Sequence, residues 1–65
     1  MTKLIKFTQV DQHGYADIAY INPDNVCYIK DAKHRTQVYM TGGNFITVDT
    51  PSRIVAAMLQ AEKEE

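Results

Sequence analysis

The sequence predicts a small α+β fold: an antiparallel five-stranded sheet followed by one C-terminal helix, in a single domain over residues 1–65. Three observations predict it. Apolar and β-favouring residues alternate at period two in short runs separated by turn signals, up to residue 48. After Thr50-Pro51 the period changes to that of a helix. Sixty-five residues are too few to close a second core.

The elements follow in order, with strands over about residues 4–48, a helix over about 51–62 and an acidic tail over 62–65. Leu4 to Val10 alternates Ile5 and Phe7 with Lys6 and Thr8, the pattern of a first strand. Asp11-Gln12-His13-Gly14 turns the chain, with Gly14 free to take positive φ. Tyr15 to Ile21 returns as a second strand. Pro23 has no amide donor and holds Asn22 extended, so the ladder stops there, and Asp24 and Asn25 form a corner through their side-chain bonds to nearby amides. Val26 to Lys30 is a third strand. The polar, glycine-free stretch from Asp31 to Arg35 predicts a hairpin loop of about five residues rather than a two-residue turn. Thr36 to Met40 and Phe45 to Val48 are the last strands, joined by the tight turn Thr41-Gly42-Gly43-Asn44. Thr50 is placed as helix N-cap and Pro51 as first helical residue. Ile54, Val55, Met58 and Leu59 then form one apolar stripe. Glu62, Glu64 and Glu65 oppose the negative end of the helix dipole, which favours fraying of the tail.

Two apolar faces result. Ile5, Phe7, Ile18, Tyr20, Cys27, Ile29, Val38, Met40, Ile46 and Val48 are expected on the face that the helix covers. Leu4, Val10, Tyr15, Ala19, Ile21, Val26, Tyr28, Tyr39 and Phe45 fall on the other, subject to register, since a bulge exchanges the faces. An uncovered aromatic face marks an interface, and the simplest partner is a second copy. Size points the same way. A domain this small is marginal alone, and Cys27, the single cysteine, excludes an internal disulfide.

Composition excludes several function classes. With 45% hydrophobic and 23% charged residues the chain is globular, and a net charge of −1 lacks the basic excess of a strongly electrostatic nucleic-acid binder. His13, His34 and Cys27 have no metal-ligand spacing, so neither a metal nor a cofactor is expected. No membrane span and no secretory signal are expected, which leaves a cytoplasmic home.

No residue set carries enzyme chemistry. Asp11, His13 and Asp17 lie close in sequence without a nucleophile or oxyanion arrangement, and read as a solvated turn. The Gly42-Gly43 turn lacks the Lys-Ser/Thr and helix start of a phosphate loop. Cys27, mid-strand, reads as a small core residue. The candidate interaction residues are the aromatics Tyr15, Tyr28, Tyr39 and Phe45, together with the basic cluster Lys30, Lys33, His34 and Arg35 around one hairpin. Burial of the aromatics in a dimer, with an unknown protein partner, is the first expectation. The alternative is a regulator that binds RNA or DNA through the basic hairpin and the tyrosine-rich face.

Ile5 and Thr8, Gly14, the Ile21-Asn22-Pro23-Asp24 corner with Val26 and Ile29, Gly43, and Val48 leading to Ile54 and Leu59 together form a pattern that resembles the small FlbD-type flagellar and swarming-motility family. That resemblance implies a small accessory or regulatory role and no enzyme chemistry. In architecture, the five strands and a helix ending Gln60-Ala61-Glu62-Lys63 are similar to the carbon storage regulator family of RNA-binding dimers, although Asp49 and Thr50 stand where that family implies a basic residue.

Overall fold

Turn chemistry sets the strands of the computed structural model, which describes residues 3–63. They are β1 (Ile5–Val10), β2 (Ala16–Ile21), β3 (Val26–Asp31), β4 (Thr36–Met40) and β5 (Phe45–Val48), followed by α1 (Ser52–Lys63). The fold is the expected small α+β arrangement, an antiparallel five-stranded sheet with one C-terminal helix, in strand order β2-β1-β5-β4-β3. The chain is therefore a β1–β2 hairpin joined to a β3–β4–β5 meander. The joint is narrow: β1 and β5 share the single pair Gln9–Val48, beside which the Asp49 N–H donates to the Thr8 carbonyl at 2.9 Å.

Three of the connections have a local cause. In the first hairpin the Asp11 carboxylate accepts the amides of His13 and Tyr15, both at 2.9 Å, while Gly14 closes the turn at φ 87°. At the Asn22–Asn25 corner the Asn22 side chain accepts the Asp24 amide at 3.0 Å, and Pro23–Asn25 makes one 3-10 turn with Pro23 buried. Gly42, at φ 99°, occupies the third position of a turn closed by Gly43 N–H to the Met40 carbonyl, where a side chain would be strained.

The β3–β4 hairpin departs from expectation. Ala32 N–H donates to the Arg35 carbonyl at 2.9 Å, so Lys33 and His34 alone form the tip, at φ 46° and 56°. Two consecutive left-handed residues between paired strands make a type I′ turn, which the sequence conceals by using neither Gly nor Asn.

The helix also starts one residue late. The Pro51 carbonyl accepts the amides of Ile54 and Val55, both at 3.0 Å, which puts Pro51 rather than Thr50 at the cap position. The Thr50 carbonyl instead accepts the hydroxyl of fully buried Thr36 at 2.7 Å. Glu62 and Lys63 belong to the helix rather than to a tail, and the expected fraying of Glu64 and Glu65 lies outside the described residues.

The core joins Ile5, Phe7, Ile21, Val26, Val38 and Val48 of the sheet to Val55 and Leu59 of α1, with Ile29, Ile46 and Met58 packed around them. Three expectations about faces are corrected. Ile18 and Tyr20 are exposed, and Ile21, with Ala19 on the same side, faces the helix instead. The three-residue Gln12–Gly14 turn brings Ile21 opposite Ile5, so even-numbered β2 residues share the side of Lys6 and Thr8. Val26 is buried with the core, whereas Cys27 is exposed. The register shift between Val26 and Tyr28 is the cause, because a bulge at Cys27 changes which side the following residues face.

Candidate functional site

Strand pairing builds the site. Tyr28 lies opposite Tyr39, and Tyr39 opposite Phe45, so three aromatic residues stand in one row across β3, β4 and β5 on the side away from the helix. Spacing between strands is close to ring-stacking distance. The Tyr28 and Tyr39 rings lie 4.6 Å apart and 7° from parallel, and the Tyr39 and Phe45 rings 4.9 Å apart at 24°. Tyr28 and Phe45 remain about half exposed, at 51% and 49%.

A polar row runs beside the rings. Lys30 pairs with Gln37, and Gln37 with Thr47. The Lys30 ammonium sits 5.4 Å from the centre of the Tyr39 ring, a cation–π distance. The Tyr39 hydroxyl donates to Gln37 Oε1 at 3.3 Å. Arg35 lies just before β4, two residues ahead of Gln37. Below the joint, where β1 and β5 are no longer paired, an open cleft of about 760 Å³ is bordered by Val10, His13, Arg35, Gln37, Phe45 and Thr47.

Of the residues expected to interact, the structure brings Tyr28, Tyr39, Phe45 and Lys30 together. Arg35 borders the cleft, and Lys33 and His34 form the exposed tip of the adjoining hairpin. Tyr15 is separate: it precedes β2, and β2 and β3 are opposite edges of the sheet. Sequence reasoning missed Gln37 and Thr47, although period-two spacing from Tyr39 and Phe45 would have found both. It also missed Ile18 and Tyr20, which it assigned to the core.

The Asp11 carboxylate accepts two turn amides, those of His13 and Tyr15, and Asp17 Oδ1 accepts the Ile18 amide at 3.3 Å, so both carboxylates are engaged by backbone amides. Among the described residues no group of three or more His, Cys, Asp or Glu side chains is arranged to hold a metal ion. Among them, too, no helix is long and apolar enough to cross a membrane. No protein-family model, curated protein or solved structure matches the chain.

Proposed function

We propose that the chain is a small non-enzymatic accessory or regulatory protein of the bacterial or phage cytoplasm, acting by protein–protein contact and self-associating, with a dimer as the simplest assembly. The observation that carries the protein-contact part of this reading is the exposed Tyr28–Tyr39–Phe45 stack on the uncovered face of the sheet. Self-association is supported by the small size of a chain with no internal disulfide. Aromatic rings already fixed against one another lose little conformational entropy on binding, which is what a protein contact surface needs. The resemblance of the Ile21–Asp24 corner to the FlbD-type family supports the accessory part of the reading.

Two measurements test it. Light scattering from micromolar to near-millimolar concentration should show association of the wild type, and a monomer throughout removes the self-association. Affinity capture from the host with wild-type and Tyr28→Glu baits should recover a partner only with the former. Equal recovery by both baits removes the assignment to this face.

A second reading, a nucleic-acid-binding regulator, is favoured by Lys30 over the Tyr39 ring and by Arg35 at the border of the cleft, with Lys33 and His34 at the turn. Mutual stacking leaves only the outer faces of Tyr28 and Phe45 for a base, which makes this the weaker reading. It requires retention on single-stranded or duplex nucleic acid that falls steeply with salt and with Lys33→Glu. Absence of retention at low salt disposes of it.

A further inference from the structure

β2 forms one edge of the sheet, and the pairing shows which of its amides face outward. The Asp11 N–H donates to the Tyr15 carbonyl, and the β1–β2 register continues unbroken from Val10–Ala16 to Ile5–Ile21. Bonding alternates along an antiparallel ladder, so Asp17, Ala19 and Ile21 turn their amides to β1 while Ala16, Ile18 and Tyr20 turn theirs away from it. The Ile18 N–H fits this pattern, since its acceptor is the Asp17 carboxylate at 3.3 Å.

The two edges of the sheet are built differently. β3 carries the Val26–Tyr28 register shift, Lys30, and Asp31, whose carboxylate accepts the Ser52 hydroxyl at 3.2 Å. Bulges and charges of this kind blunt an edge against pairing. β2 has no shift, no Lys and no Pro, and it exposes Ile18 at 51% and Tyr20 at 63%. Its only charge is Asp17.

We propose that β2 pairs antiparallel with β2 of a second copy, about a two-fold axis at Ile18, to give one continuous sheet through two molecules. The proposal rests on the self-association of the preceding reading and gives it a location, leaving the Tyr28–Tyr39–Phe45 stack for a different partner. The strand is complementary to itself in this register. Ala16 of one copy lies opposite Tyr20 of the other, small against large, and Ile18 lies opposite Ile18. Asp17 lies opposite Ala19, so the strand's one charge never directly faces its own copy. Six residues of edge fall short of the roughly 1,200 Å² of a standard interface, which makes the dimer a concentration-dependent equilibrium.

Sedimentation velocity from low micromolar to near-millimolar concentration tests the pairing. Wild type should dimerise. Ile18→Lys and Ile18→Glu, which alter an exposed side chain and should keep the wild-type circular dichroism, should each weaken the dimer about tenfold or more by opposing like charges. An equimolar mixture of the two should restore it. Asp17→Ala should tighten the dimer by removing the competing acceptor, and Tyr28→Glu should leave it unchanged. A mixture that stays monomeric, or a dimer that survives Ile18→Lys and is lost with Tyr28→Glu, overturns the edge pairing and leaves self-association standing. A wild type that stays monomeric throughout overturns both.

Discussion

Thr36 and Asp31 face each other on the last rung of β3 and β4, and between them they hold the chain on both sides of Pro51. The Thr36 hydroxyl donates to the Thr50 carbonyl at 2.7 Å, and Asp31 Oδ1 accepts the Ser52 hydroxyl at 3.2 Å. The helix thus leaves the sheet in a direction fixed by the hairpin that ends in Lys33 and His34. Thr36 is fully buried, so Thr36→Val preserves its shape while removing the donor to Thr50. Stability should fall by about 1–3 kcal/mol in urea unfolding, and Thr36→Ser, which keeps the hydroxyl, should lose less. A larger loss for Thr36→Ser than for Thr36→Val would show that the methyl group, not the hydrogen bond, matters.

The tip of the same hairpin should respond in the opposite direction. Lys33 and His34 hold φ 46° and 56°, where a side chain other than that of Asn or Asp is strained. Combining Lys33→Asn with His34→Gly gives the type I′ turn the Asn-Gly dipeptide that it prefers. The double variant should be more stable by about 1 kcal/mol, with an unchanged denaturant slope. No gain, or a loss, would mean that the tip is held by contacts of its own side chains.

That turn also shows where the sequence stops being readable. Five strands, the Asn22–Asn25 corner and the helix were legible because Gly14, Pro23, Gly42, Gly43 and Pro51 act locally, through backbone freedom or a missing amide. The Lys33–His34 turn was not, because its conformation is imposed by the pairing of β3 with β4 against local preference. The side of β2 was not read either. Ile18 and Tyr20 alternate with Ala19 and Ile21, so both sides are apolar and periodicity alone does not choose between them. Counting across the Gln12–Gly14 turn does choose, since it sets Ile21 opposite Ile5. The aromatic row was legible as a face. Its stacking depended on the Cys27 bulge, which brings Tyr28 into register with Tyr39.

The ring stack makes an energetic prediction of its own. Tyr28 and Tyr39 are parallel within 7° and 4.6 Å apart, and should be coupled beyond the area that each buries. A double-mutant cycle with Tyr28→Ala and Tyr39→Ala should give a coupling of about 0.5–1.5 kcal/mol. The single Tyr39→Ala should cost more than Tyr28→Ala, because Tyr39 also contacts Phe45 and Lys30. Strict additivity would mean that the rings are neighbours without mutual stabilisation, and would weaken the case for a rigid contact surface.

Cys27 provides a test of the bulge. A residue of the core side would be closed to solvent, and Cys→Ser there would strand a hydroxyl among apolar groups at a cost of about 1–3 kcal/mol. Cys27 is instead exposed, with Sγ 3.8 Å from Thr41 Oγ1, so a serine hydroxyl finds both water and a polar neighbour. Cys27→Ser should therefore change stability by less than about 0.5 kcal/mol. In the native state the thiol should react with an aromatic disulfide reagent at nearly the rate of the urea-unfolded chain. Reaction gated by unfolding would return Cys27 to the core side. The register shift would then fall elsewhere on β3, and Tyr28 would no longer be aligned with Tyr39.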